Sequence, residues 1–125
     1  MKKKKLFVIS CAFVLVMLFS VGAFALNIPA YKHIPVGSYS YISGATKSNS
    51  QAELEVKTFS GSGFGWSAQY SNGSTWTTCT PMRYVYAKTT QSSTYSPSPV
   101  GGTGMRIRAL GEAPNDTYIS GSATF

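Results

Sequence analysis

Apolar and polar positions alternate with a period of two in several separate runs of this chain. Gln51–Phe59 places Ala52, Leu54, Val56 and Thr58 on one face and Glu53, Glu55 and Lys57 on the other. That is the pattern of a strand half-buried against a core. Phe64, Trp66, Ala68 and Tyr70 alternate in the same way, as do Met105, Ile107 and Ala109, with Arg106 and Arg108 between them on the opposite side. Ile119, Gly121, Ala123 and Phe125 line one side of a last run, and Tyr39 and Tyr41 alternate with small residues in Gly37–Ser43. No window repeats apolar residues at i, i+3, i+4 and i+7 for long enough to predict a helix.

Turn residues divide these runs. Asn72-Gly73 follows Tyr70 closely and predicts a two-residue hairpin, because a type I′ turn needs φ > 0 twice. Such a loop would pair Tyr70 with Thr75, Ala68 with Thr77 and Trp66 with Cys79, and Pro81 would end the returning strand because it cannot donate to a central ladder. Met82–Thr89 reads as a further strand. Thr90–Gly102, holding Pro97, Pro99, Gly101 and Gly102, reads as a long surface loop. The expectation is an all-β fold, a small antiparallel β-sandwich or barrel of about seven short strands. Residues 26–36 form an extended segment ahead of a single domain over 37–125.

The N-terminus has a different character. Lys2–Lys5 precede an apolar run from Leu6 to Val21, which ends at Ala23-Phe24-Ala25. A positive n-region, an apolar core and small residues at −3 and −1 are the marks of a signal peptide over residues 1–25, cleaved after Ala25. An uncleaved anchor is the alternative, since Leu6–Leu26 approaches the roughly 20 residues that span a bilayer. The A-x-A site and Pro29 favour cleavage. The product is then secreted, with no stable membrane anchor. Val8-Ile9-Ser10-Cys11 superficially matches a lipoprotein box, but fourteen mostly apolar residues follow the cysteine. Cys11 is better read as a small hydrophobe within the signal helix.

Removing residues 1–25 changes the charge more than the fold. Seven basic and four acidic residues remain, so the net charge falls from +7 to +3. The remainder is rich in Ser, Thr and Gly yet holds 13 aromatics, eight of them Tyr. Aromatic burial on that scale argues against a disordered linker. Composition also excludes a coiled coil, a disulfide scaffold and a metal site of clustered Cys and His, and no cofactor is implied.

Candidate chemistry is sparse. His33 has no nucleophile-elbow motif to serve and reads as a solvated side chain. Glu53 and Glu55 project from one strand face roughly 7 Å apart, a separation used by glycosidases, but Lys57 balances them as an ordinary polar face. The remaining acids, Glu112 and Asp116, are too few for a Ca²⁺ cage, and Asn115-Asp116-Thr117 reads as turn chemistry. Cys79, the one cysteine left after cleavage, has no identifiable base. It reads as a buried apolar residue or, if exposed, as an intermolecular link.

Arg106 and Arg108 share a strand face, and Arg83 and Lys88 extend the basic set. Interleaved with Tyr84, Tyr86 and Tyr95, they suggest a surface for an anionic cell-envelope polymer or glycan. Nucleic acid is disfavoured by export and the modest charge. A solvated edge that blunts strand-to-strand aggregation explains the same residues without a ligand. The expected function is therefore non-catalytic: a secreted bacterial binding or structural module of the envelope or extracellular space, with Arg106, Arg108, Arg83, Tyr84 and Tyr86 as the ligand-binding set. The alternative is a secreted cationic antimicrobial or toxin-like protein, and a small hydrolase using Glu53 and Glu55 comes third. In class and composition the chain is similar to small exported β-proteins such as the lactococcin-972-like bacteriocins, a similarity that reaches no individual residue.

Overall fold

The computed structural model describes residues 25–125. Most of the expected signal peptide and its processing box therefore lie outside the described residues; Ala25 stands immediately before the first strand. Nine strands follow in order: β1 (Leu26–Ile34), β2 (Tyr39–Thr46), β3 (Gln51–Ser60), β4 (Phe64–Ser71), β5 (Trp76–Thr78), β6 (Arg83–Val85), β7 (Thr89–Thr94), β8 (Gly104–Gly111) and β9 (Thr117–Thr124). They form two antiparallel sheets, β1-β9-β3-β7 and β2-β8-β4-β5, with β6 also paired to β4. No helix occurs among the described residues.

Four of the alternating runs turn their apolar sides toward a single core, while Tyr39 and Tyr41 of β2 face outward. Ala52, Leu54 and Val56 of β3 meet Phe64, Trp66 and Ala68 of β4, Met105, Ile107 and Ala109 of β8, and Ile119 and Ala123 of β9 in one buried cluster. Burial of these side chains is the main force holding the sheets face to face. Trp66, fully enclosed, donates its indole N–H to Gln91 Oε1 of the opposite sheet at 2.9 Å. β1 contacts β2 at one edge and β6 contacts β7 at the other, so the sheets lie in alignment.

Four expectations are corrected. Residues 26–36 are not a preface to the domain: β1 pairs with β9, and Ile28 and Ile34 belong to the core. The expected strand Met82–Thr89 ends at Val85, and the chain crosses at Tyr86–Lys88 to begin β7 in the other sheet. β7 occupies the start of what read as a loop; its Thr-Thr-Gln-Ser-Ser-Thr sequence holds no apolar residue. The hairpin pairs Tyr70 with Thr77 and Ser71 with Trp76, a register two residues away from that of a type I′ loop. Its four-residue turn is held instead by Asn72 Oδ1, which accepts from Thr75 N and Thr75 Oγ1, both at 2.9 Å, and only Gly73 takes a positive φ (102°). The side-chain faces survive because the shift is even.

One bulge also reassigns a residue. The β3–β9 register slips between Val56 and Thr58, so Thr58 faces solvent and Phe59 packs against the core.

Candidate functional site

The register of the five-stranded sheet decides what stands on its outer face. β2 pairs Tyr41 with Arg108 and Ser43 with Arg106 of β8. β8 in turn pairs Arg108 with Ser67, Arg106 with Gln69 and Leu110 with Gly65 of β4. Gln69 then pairs with Thr78 of β5, and Gly65 with Tyr84 of β6. The result is a basic strip on the central strands, flanked by aromatics: Tyr39 and Tyr41 on one rim, Trp76, Tyr84 and Tyr86 on the other.

These side chains are ordered against one another. The Arg106 guanidinium carbon lies 4.0 Å from the Tyr41 ring centre and 4.3 Å from that of Trp76. Its Nε donates to Gln69 Oε1 at 2.8 Å, and Gln69 Nε2 donates to Thr78 Oγ1 at 3.1 Å. The Arg108 guanidinium sits 4.5 Å from the Tyr39 ring centre. Cation–π contacts of this kind hold the guanidinium planes in place while leaving their charge uncancelled. Among the described residues no carboxylate is paired with either arginine. Arg108 Nε and Ser67 Oγ, cross-strand neighbours, are enclosed without hydrogen-bond partners.

Glycines shape the second rim. A side chain at Gly65 would strike Met82 and Tyr84, and one at Gly63 would strike Tyr86, so these side chains pack directly on bare backbone. The Tyr84 and Tyr86 rings lie 6.5 Å apart and within 7° of parallel. Glu112, beside Tyr86, pushes that phenol's pKa up, chiefly through a hydrogen bond.

The structure thus gathers Arg106, Arg108, Tyr84 and Tyr86 on one face and leaves Arg83 off it. Arg83 pairs with Trp66, an inward position, and its Nη1 reaches across to the Ser92 carbonyl of β7 at 3.0 Å. It ties the two sheet edges together. Tyr95 is also withdrawn: it is buried, with its hydroxyl pushed up to about 12 by burial. Tyr39, Tyr41, Trp76 and Gln69 were missed by sequence reasoning. Tyr39 and Tyr41 share the i and i+2 spacing of the arginines, a signal legible only once strand pairing is known, and Trp76 and Gln69 carry none.

The other candidates are placed as well. Glu53 and Glu55 stand on the outer face of the four-stranded sheet, accepting from Ser92 Oγ at 3.5 Å and Ser122 Oγ at 3.4 Å. His33 Nε2 pairs with Asp116 Oδ2 at 2.7 Å and stacks on Tyr118. Asp116 Oδ1 accepts from the Val36 N–H at 2.9 Å, and this bond, with His33, lowers the Asp116 pKa. Cys79 is fully buried, and burial pushes its thiol up to about 11, so it is neither a ready nucleophile nor a surface cross-link. No group of three or more His, Cys, Asp or Glu that could hold a metal occurs among the described residues. A cleft of about 260 Å³ lies between Tyr70–Ser71 and Pro97–Val100, with no charged side chain in its lining.

Comparison with protein-family models, with curated proteins and with solved structures finds no match to this chain.

Proposed function

We propose that the chain is a secreted, non-catalytic binding module that attaches to an anionic polymer or glycan of the cell envelope through the outer face of its five-stranded sheet. The observation that carries this reading is the conjunction on that face of two arginines without acidic partners and five partly exposed aromatic rings. Exposed rings collected on one face, rather than scattered, mark a contact surface. Amphipathic Tyr and Trp suit a ligand that is apolar on one side and hydroxylated on the other. Guanidinium groups held by stacking present their donors at small entropic cost.

The test is retention of the processed chain on fractionated envelope, with salt titrated. Binding that weakens with salt and falls on combined replacement of Arg106 and Arg108 supports the proposal. Binding that ignores both would move the surface elsewhere, and killing of neighbouring cells by the purified chain would favour an antimicrobial role.

A further inference from the structure

We infer that the ligand of this face is a polysaccharide whose pyranose rings carry carboxylates. The inference rests on the binding reading above and narrows it to one chemical class. Arg106 supplies the first constraint. Its plane is contacted by the Tyr41 and Trp76 rings, and its Nε is engaged by Gln69. The donors left for a ligand are therefore the terminal pair, Nη1 and Nη2. An end-on pair of parallel N–H groups matches the two oxygens of one carboxylate. Arg108 repeats a guanidinium two residues along the same strand, roughly 7 Å away, so an anion is wanted at intervals rather than once.

The rims supply the second constraint. Tyr84 and Tyr86 are 49% and 60% exposed and nearly parallel, and Tyr39 and Tyr41 are 47% and 44% exposed on the far rim. Such rings take the flat C–H side of a sugar ring, since their faces are apolar and electron-rich. Glu112 stands beside Tyr86, which disfavours a second anion at that end and leaves it to an uncharged part of the ligand. A polyol phosphate carries charge but has no flat C–H side for the rings. A neutral glucan has that side but leaves both guanidinium groups without an anion. A chain of uronic acids offers both within each repeat.

The experiment is affinity electrophoresis of the processed chain through gels containing one of four probes: polygalacturonate, its methyl ester, polyphosphate or a neutral soluble β-glucan. Polygalacturonate should retard the chain, and the other three should do so about tenfold more weakly or not at all. Arg106→Lys keeps the charge and removes the paired donors, so it should weaken polygalacturonate binding about tenfold. Tyr86→Ser should weaken polygalacturonate binding under conditions where a denaturant melt shows the variant still fully folded, which separates lost contact from lost fold. Equal retardation by polyphosphate, by the ester or by the neutral glucan would overturn the carboxylated-pyranose class yet leave a binding face. No retardation by any probe overturns the inference. Only a further failure to bind envelope fractions would overturn the proposed function as well.

Discussion

On the outer face of the four-stranded sheet, Glu53 and Glu55 stand among Thr90, Ser92, Ser122 and Thr124; on the outer face of the five-stranded sheet, Arg106 and Arg108 stand among Tyr39, Tyr41 and Trp76. Both faces cover the same core and both centre on a pair of like charges at i and i+2. They differ in what surrounds the charge. Short hydroxyl side chains leave the glutamates hydrated, with long contacts of 3.4 and 3.5 Å. Long planar side chains build a further layer over the arginine sheet. Its depth is visible at β4, where Ser67 and Gln69 point away from the core yet are 1% and 5% exposed. A strand face open to water does not bury such residues. One outer surface is simply solvated while the other is assembled.

Four perturbations test that contrast, in falling order of effect. The scaffold common to both faces sets the upper limit. A side chain at Gly121 of β9 would meet the Glu55 carbonyl of β3, and backbone cannot retreat as a side chain can. Gly121→Ala should cost more than about 3 kcal/mol or abolish folding, read from denaturant melts. Next comes the assembled face. Arg106→Ala with Arg108→Ala removes three cation–π contacts and the bond to Gln69. A loss of about 1–3 kcal/mol is expected, together with loss of ligand retention. A melting curve identical to the parent's would show that the layer is not a structural unit.

A smaller effect belongs to the edge where β1 leads into β2. The Val36 N–H and His33 hold the Asp116 pKa below its ordinary value. Because the folded value is lowered, Asp116 contributes stability above the usual carboxylate pKa of about 3.9, and that contribution disappears as pH falls through the folded value. Asp116→Asn should therefore be less stable than the parent at neutral pH, and the gap should close as pH falls through the lowered folded value. A gap that stays constant in acid melts would remove the ionic account. The least effect is expected on the solvated face: Glu53→Gln with Glu55→Gln should change stability by no more than about 0.5 kcal/mol and leave envelope retention intact. A larger change there would erase the contrast.

How much of this was legible beforehand depended on whether a strand carries its own apolar stripe. Ala52–Val56, Phe64–Ala68, Met105–Ala109 and Ile119–Phe125 do, and each lies in the core as its alternation implies. β7 carries none on its paired residues Thr89–Thr94, so periodicity had nothing to report. β1 was obscured because its register with β9 slips between Ile28 and Lys32, where Tyr31 takes φ 63°. For the site, the pairing of Arg106 with Arg108 on one face follows from a period of two alone. The rings that stack on them come from β2 and β5, distant in sequence, and Arg83 left the set because β6 sits at a sheet edge facing β7.

The strand order has a consequence for timing. In each sheet a strand made late separates strands made early: β9 lies between β1 and β3, and β8 lies between β2 and β4. Until residues 104–124 have left the ribosome, β1 has no ladder partner, and β2 cannot reach β4 through the ladder. Loop-closure entropy must be met before these distant pairings repay it. β1 and β2 are thus left without their ladder partners through most of the chain's synthesis, and neither sheet can be completed. If the chain is secreted as proposed, a translocation channel that accepts only unfolded chains would find it ready to pass, and folding would be completed on the far side by the two strands that arrive last.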